Sequence, residues 1–229
     1  PHRMTIENLQ YKVRYSERAK HPSLKVDLDG VEVIIPEGHN IDPNTVLRRK
    51  ESWLQDKLAE QRELRDEIPD RSYDDGSVLY FLETPYQVKH ENRQNTTHDD
   101  NQLLLSQQRV DEEGAKHEVR RVLKRIFKDH AKRLVNNLAN KHGLKYNKLY
   151  IRDQKTKWGS CSSKDNISLN WRLGFAPKSA VRYTAAHELA HLKHMNHSPA
   201  FWNTVEQFHE DYREAKLWLN THEHQLHVL

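Results

Sequence analysis

Two histidines and a glutamate in one five-residue run restrict this chain more than any other feature. His187-Glu188-Leu189-Ala190-His191 has the form H-E-x-x-H. Residues four apart on an α-helix stack on one face, about 6 Å apart along the axis. Two imidazoles placed so can share one tetrahedral metal, zinc above all. Glu188 follows one step round the helix and reaches a water on such a metal without being a ligand. Zinc brings the pKa of that water to about 7, and a carboxylate can take the remaining proton. The pattern demands a helix, and apolar Val181, Ala185, Leu189 and Leu192 give it a side to bury.

His197 stands ten residues after His187 and is the candidate third ligand. Asn196 is expected in the left-handed conformation that ends a helix. Ser198 suits the cap of the next helix and Pro199 its first turn. The chain therefore reverses at His197 and returns over His187 and His191, leaving a fourth position for water. A set of surface histidines is the plain alternative in a chain with 16 of them. Agreement of motif, helix, third ligand and turn favours a metal. A closed structural zinc site is disfavoured, because such sites use four protein ligands and are rich in cysteine. Only Cys161 is present, which reads as an ordinary buried thiol. His194, between the ligands, reads as a solvated side chain or a support for a ligand.

Around this motif the chain reads as α+β: an N-terminal β-rich domain over 4–110, then a metal-binding domain over 111–229. Tyr11 to Tyr15 and Leu24 to Asp29 alternate apolar and polar residues, and Asp29-Gly30 is a hairpin signal leading to Val31–Ile35. A helix is expected from Pro43 to Arg65, with Val46, Trp53, Leu54 and Leu58 on one face. Val78 to Leu82, Tyr86 to His90 and Leu103 to Ser106 read as short strands, with a polar loop from Glu91 to Asn101. A long helix follows from Glu112 to Lys141, stopping at Gly143, then strands at Lys148–Arg152 and Ile167–Leu173. Two helices complete the chain, Pro177 to Lys193 and Pro199 to Asn220.

The net charge of +4 is too mild to imply nucleic acid by itself. No apolar run is long enough to span a bilayer and no signal-peptide core follows the start, so no membrane partner is expected. With a single cysteine, this points to the reducing cytoplasm. Pro1, His2 and Arg3, ahead of Met4, read as an expression remnant.

The run from Thr156 to Trp171, Thr-Lys-Trp-Gly-Ser-Cys through Ile-Ser-Leu-Asn-Trp, followed by His-Glu-Leu-Ala-His-Leu-Lys-His-Met-Asn-His-Ser-Pro-Ala-Phe-Trp at 187–202, resembles the YgjP-like metallopeptidases. These are similar to SprT and WLM-type zincins, some of which cut protein cross-linked to DNA. The close resemblance covers roughly residues 145 to 220, with a looser fit at Tyr15-Ser16-Glu17-Arg18-Ala19-Lys20. It implies a compact zincin-like fold, with the H-E-x-x-H helix beneath a short mixed sheet. Lys157 stands where the family commonly has arginine, which keeps the charge and removes a bidentate fork. His194 replaces the turn glycine of metzincins, so the chain is not placed among them. Some YgjP proteins are described as UTP pyrophosphatases, and the same metal chemistry suits a phosphoanhydride.

Further features complete the expectations. In zincins a strand such as Ile167–Leu173 forms the sheet edge beside the cleft, where an extended peptide can pair. That places Asn170 and the loop from Trp158 to Cys161 near substrate, with core or hinge packing as the alternative for Trp158 and Trp171. Tyr212 and His209 are candidates to stabilise an oxyanion. Arg120, Arg121, Lys124, Arg125, Lys128 and Lys132 line one side of the long helix. Such a stripe over 120–132 can meet nucleic-acid phosphates, or is simply a solvated face. His222, His224 and His227 read as a flexible tail. The expected function is zinc (Zn2+)-dependent peptide hydrolysis through a metal-activated water. A nucleoside triphosphate (UTP) pyrophosphatase and a DNA- or protein-binding module with an inactive zinc site are the alternatives. The oligomeric state is not legible.

Overall fold

The computed structural model describes residues 9–27, 30–67 and 71–226. Contacts divide the chain into two compact units, Pro1–Pro69 and Asp70–Leu229.

In the first unit the strands are β1 (Tyr11–Ser16), β2 (Ser23–Asp27) and β3 (Gly30–Pro36). Their order is β1-β3-β2, with β1 parallel and β2 antiparallel to β3. The Asp29 half of the expected hairpin turn lies outside the described residues. One helix was expected next, and two form: α1 (Pro43–Arg49) and α2 (Glu51–Asp66). Asp42 caps α1 by accepting from the Asn44 amide at 3.0 Å, with Pro43 in the first turn. Lys50, at φ −119° and ψ 25°, interrupts the helix. Val46, Leu47 and Leu54 join Val31, Val33 and Ile35 in this unit's core. Trp53, expected on the buried face, is 41% exposed under the Lys50 ammonium.

The second unit opens with β4 (Val78–Phe81), β5 (Thr84–Glu91), β6 (Thr97–His98) and β7 (Gln102–Ser106), ordered β4-β5-β7-β6. The two-residue β6 lies in the stretch expected to be loop. Helices α3 (Gln107–Glu113) and α4 (Ala115–Lys141) follow, broken at Gly114, whose φ of 86° favours glycine. A second sheet contains β8 (Lys148–Arg152), β9 (Gly159–Cys161) and β10 (Asn166–Asn170). A 3-10 turn at Trp171–Phe175 leads into α5 (Lys178–Ala190), α6 (Pro199–Phe208) and α7 (Tyr212–His222).

The compact units meet at 69/70, whereas the sequence places the domain boundary at 110/111. The reason lies in the core. Leu79, Phe81, Val88, Leu103 and Leu105 from the four-stranded sheet pack in one cluster with Val119, Val122, Leu123 and Phe127 of α4. Phe81 is fully buried, 6.5 Å from Phe127, 6.4 Å from Trp171 and 5.0 Å from Phe175. That sheet therefore shares its apolar burial with the helices that follow it.

The basic stripe on α4 is partly consumed internally. Arg120 and Arg172 both bond Asp153, and Lys124 bonds it at 2.7 Å. Burial alone raises the Asp153 pKa, but the bonds from Lys124 and Arg120 and the Arg172 charge outweigh it and hold the carboxyl well below its usual range. Arg121 pairs with Glu113 at 2.9 Å and with buried Glu118 at 3.3 Å. Arg125, Lys128 and Lys132 are exposed. Three of the six cations thus hold the fold together rather than forming a free phosphate-binding row.

Candidate metal centre

The sequence folds the candidate centre from α5, the turn after it, and the start of α6. Nearly every side of α5 is covered: Ala180, Val181, Tyr183, Thr184, Ala185, Ala186, Glu188, Leu189 and Ala190 are buried. Four alanines let neighbouring elements approach closely, so the helix runs through the middle of the unit beneath the mixed sheet. That sheet has the order β8-β10-β9, with β8 parallel and β9 antiparallel to β10.

The helix ends in overlapping turns: Leu192 donates to Leu189, and Lys193 and His194 both donate to the Ala190 carbonyl. Asn196 is not among the left-handed residues, a correction to the expected cap. The reversal rests on the turns and on the next helix start. Ser198 accepts from the Phe201 amide at 3.4 Å and Pro199 occupies the first turn of α6, as the sequence indicates.

This reversal brings His187, His191 and His197 together. Their ring centroids form a near-equilateral triangle, with sides of 5.0, 5.0 and 4.9 Å. One ring nitrogen from each lies within 4.8 Å of the others. Nε2 of His197 faces Nε2 of His187 at 3.1 Å. Two nitrogens sharing a tetrahedral metal at about 2.05 Å sit about 3.3 Å apart, so the spacing suits one ion. His191 donates from Nδ1 to the His194 carbonyl at 3.0 Å, which leaves the Nε2 lone pair available to a metal. The backbone of His194, not its side chain, supplies this support. Nδ1 of His187 is buried without a hydrogen-bond partner among the described residues. Burial lowers the His187 pKa to about 3, reinforced by His191, His197 and Lys216. His187 is therefore neutral at physiological pH, as a metal ligand must be.

Phe201 is the platform of the triad. It is fully buried, with its ring 4.9, 4.6 and 4.8 Å from those of His187, His191 and His197. Trp202 stands beside it, 5.7 Å from His187 and stacked on His197 at 5.8 Å. Both follow directly from the Ser198-Pro199 start of α6, so one local signal places ligand and platform.

Glu188 is 6% exposed, and burial pushes its pKa up to about 8 against a lowering by the Lys157 charge. Its carboxylate lies against the backbone of Gly159 in β9. A Cβ added there would fall 2.6 Å from Oε1 and 2.7 Å from Cγ. Only glycine allows the strand to pass so close to this carboxylate. Gly159→Ala should retain metal yet lower kcat/KM at least tenfold, since even small misplacement of a reacting group costs about two orders of magnitude. Metal analysis and peptide kinetics on one preparation check this.

Other expected site residues are placed differently. Asn170 is 1% exposed, and its amide donates to the carbonyls of Gln154 at 2.7 Å and Lys157 at 3.0 Å. Its Oδ1 accepts from the Arg172 amide, so Asn170 fixes the loop that carries Lys157 instead of facing substrate. The expected edge strand is also corrected. Strand β10 ends at Asn170 and is central in its sheet, paired on both sides, while β9 is terminal beside α5. Trp158 is half-buried and donates from Nε1 to Glu223 at 3.1 Å. Tyr212 is buried in an aromatic row, stacked with Trp202 at 5.6 Å and Tyr183 at 6.4 Å. His209 lies toward Ser179 and Arg182 at the start of α5, away from the triad. His224 is 8% exposed and Leu226 1%, so this part of the C-terminal segment is packed rather than a flexible tail; His227 lies outside the described residues.

Sequence reasoning missed Tyr183, Phe201 and Lys216, and placed Gly159 in a loop near substrate without its contact to Glu188. Tyr183 precedes His187 by one helical turn, a signal available in the sequence. Burial, with the Glu188 charge, raises its pKa to about 12.

Fold and site together have the form of a metal-dependent hydrolase. The model of the YgjP-like metallopeptidase domain matches residues 20–222, and the chain belongs to that family. It is accordingly a metallopeptidase, a class that works with a divalent metal. Solved structures similar to part of the chain include two metallopeptidase zymogens. Abylysin of Pyrococcus abyssi is 24% identical over 41% of this chain and 95% of its own, with a TM-score of 0.37. Jannalysin of Methanocaldococcus jannaschii is 22% identical over 40% of this chain and 94% of its own, with a TM-score of 0.36. No curated protein matches the chain. Among the described residues no helix is long and apolar enough to cross a membrane.

Proposed function

We propose that the protein is a zinc peptidase acting on extended or unfolded polypeptide, with His187, His191 and His197 as metal ligands and Glu188 as general base. The observation that carries this reading is the convergence of three ring nitrogens within 4.8 Å beside a buried glutamate. Neutral imidazoles at this spacing suit zinc, and three protein ligands leave a position open for chemistry.

When bound, the metal acidifies a water and polarises the scissile carbonyl. Glu188 takes the proton from the attacking water and returns it to the leaving amine. Its place against Gly159 fixes the carboxylate; burial raises its pKa to about 8, so the proton-accepting form depends on positive charge nearby, part of which Lys157 supplies. The His194 carbonyl holds His191 in the tautomer protonated on Nδ1, with the Nε2 lone pair left for the metal. The extended substrate pairs along the outer edge of β9, which is unpaired among the described residues. The lone Cys161 accords with a reducing, cytoplasmic setting.

One parallel assay tests the reading. The zinc-loaded protein should cleave an unfolded protein, lose that activity to a chelator and regain it with zinc. Efficient hydrolysis of UTP with no cleavage of unfolded protein would overturn it.

A further inference from the structure

Lys216 is a cation beside the candidate metal centre with no assigned task. It lies on α7, one helical turn after Tyr212, and its Nζ sits 4.1 Å from the centroid of the Trp202 ring. The same ring stacks on His197 at 5.8 Å and lies 5.7 Å from His187. Lys216 is half-buried, and its charge is felt at His187. Among the described residues it has no acidic partner. Glu206, on the preceding helix, is taken by Arg213 at 2.5 Å.

A cation held near a divalent metal site is repelled by the ion that the site binds. An anion bound near both relieves that repulsion. Nζ lies 4.1 Å from the centre of an indole that is itself 5.8 Å from the ring of His197 and 5.7 Å from that of His187, so it stands in the surroundings of the triad. An extended peptide advances about 3.3 Å per residue, so a group a few residues from the bond being cut can reach this cation. Trp202 supplies an apolar wall for the stem of that group, and Lys216 the charge for its end.

We propose that Lys216 and Trp202 form a carboxylate-binding subsite, which makes the peptidase prefer substrates with a carboxylate close to the scissile bond. The carboxylate belongs to an acidic side chain or to a free peptide C-terminus. The inference rests on the peptidase reading and deepens it to a substrate class. Lys216 is a specificity residue, set apart from the proton transfer at Glu188.

The test measures binding in a background that cannot turn over. Zinc-loaded Glu188→Gln is titrated by calorimetry with matched peptides carrying Glu or Gln at positions flanking the cleavage site, each with a free or an amidated C-terminus. Carboxylate peptides should bind about tenfold more tightly than their neutral partners. Adding Lys216→Met, which keeps an apolar stem on Trp202, should bring the ratio to about one, and Lys216→Glu should invert it. Loss of the preference on Glu-to-Gln exchange identifies a side chain as the ligand, and loss on amidation identifies the terminus. An equal ratio with and without Lys216, while the parent enzyme still cleaves peptides, overturns the subsite alone. Failure of every peptide to bind, with no cleavage by the parent, overturns the peptidase reading along with it.

Discussion

Glu188→Gln should keep its metal and lose at least about 100-fold in kcat/KM, because the amide cannot take a proton from the attacking water. The swap preserves shape, so packing against Gly159 remains and the loss is chemical. The same variant has a second signature in metal-free protein. There the Glu188 pKa is raised to about 8 by burial, from an ordinary value near 4.5. A raised carboxyl contributes fully below the unfolded pKa, and that contribution is lost as pH rises through the folded one. Relative to Glu188→Gln, metal-free wild type should therefore lose stability between about pH 4.5 and 8. Thermal melts at pH 4 should be alike for the two, while at pH 9 the glutamine variant should melt several degrees higher. Near-normal turnover by the variant would remove Glu188 from the mechanism.

The second large effect concerns the ligands. His197→Ala should lower zinc affinity more than about 100-fold, since loss of groups that merely support ligands already costs 10- to 100-fold. It is the cleanest of the three changes, because His197 is exposed and its removal leaves the core intact. His187→Ala should lose metal as well, and should also destabilise the fold, because that ring packs against Tyr183, Phe201 and Trp202. Zinc raises the melting temperature only where it binds the folded state. The zinc-induced rise seen in wild type should therefore vanish in both variants. Acid acts in the same direction. The folded His187 pKa, about 3, lies below the ordinary 6.5, so its contribution is present above about pH 6.5 and is lost as pH falls toward 3. Full zinc occupancy in His197→Ala would exclude that residue as a ligand.

The centre was legible because its determinants are local. H-E-x-x-H, the apolar side of α5 and Ser198-Pro199 all act within 20 residues, and the helix and reversal they specify bring the histidines together. What escaped depends on distant pairing. Gly159 meets Glu188 only because β9 pairs with β10 at Gly159↔Leu169 and α5 then packs beneath. The Gly-Ser-Cys sequence of β9 has little strand character of its own, so β10 reads as an edge although it is central. Half of the basic stripe on α4 is neutralised by Asp153, Glu113 and Glu118, and the Asp153 partnership joins residues about thirty positions apart. The first sheet of the second unit reads as N-terminal because its apolar partner, the Val119–Val122–Leu123 face of α4, comes later in the chain. Local signals carry helix ends and the triad, and long-range burial decides the rest.

One catalytic metal held by three histidines sets a stoichiometry, which is read by titrating metal-free protein with zinc while following cleavage of an unfolded protein. Activity should rise in proportion to zinc and level off at one equivalent per chain, and the same titration of His197→Ala should stay flat. Full activity in protein shown by elemental analysis to be free of metal, or a wild-type response in His197→Ala, would mean that the hydrolysis does not run on a metal held by these three histidines.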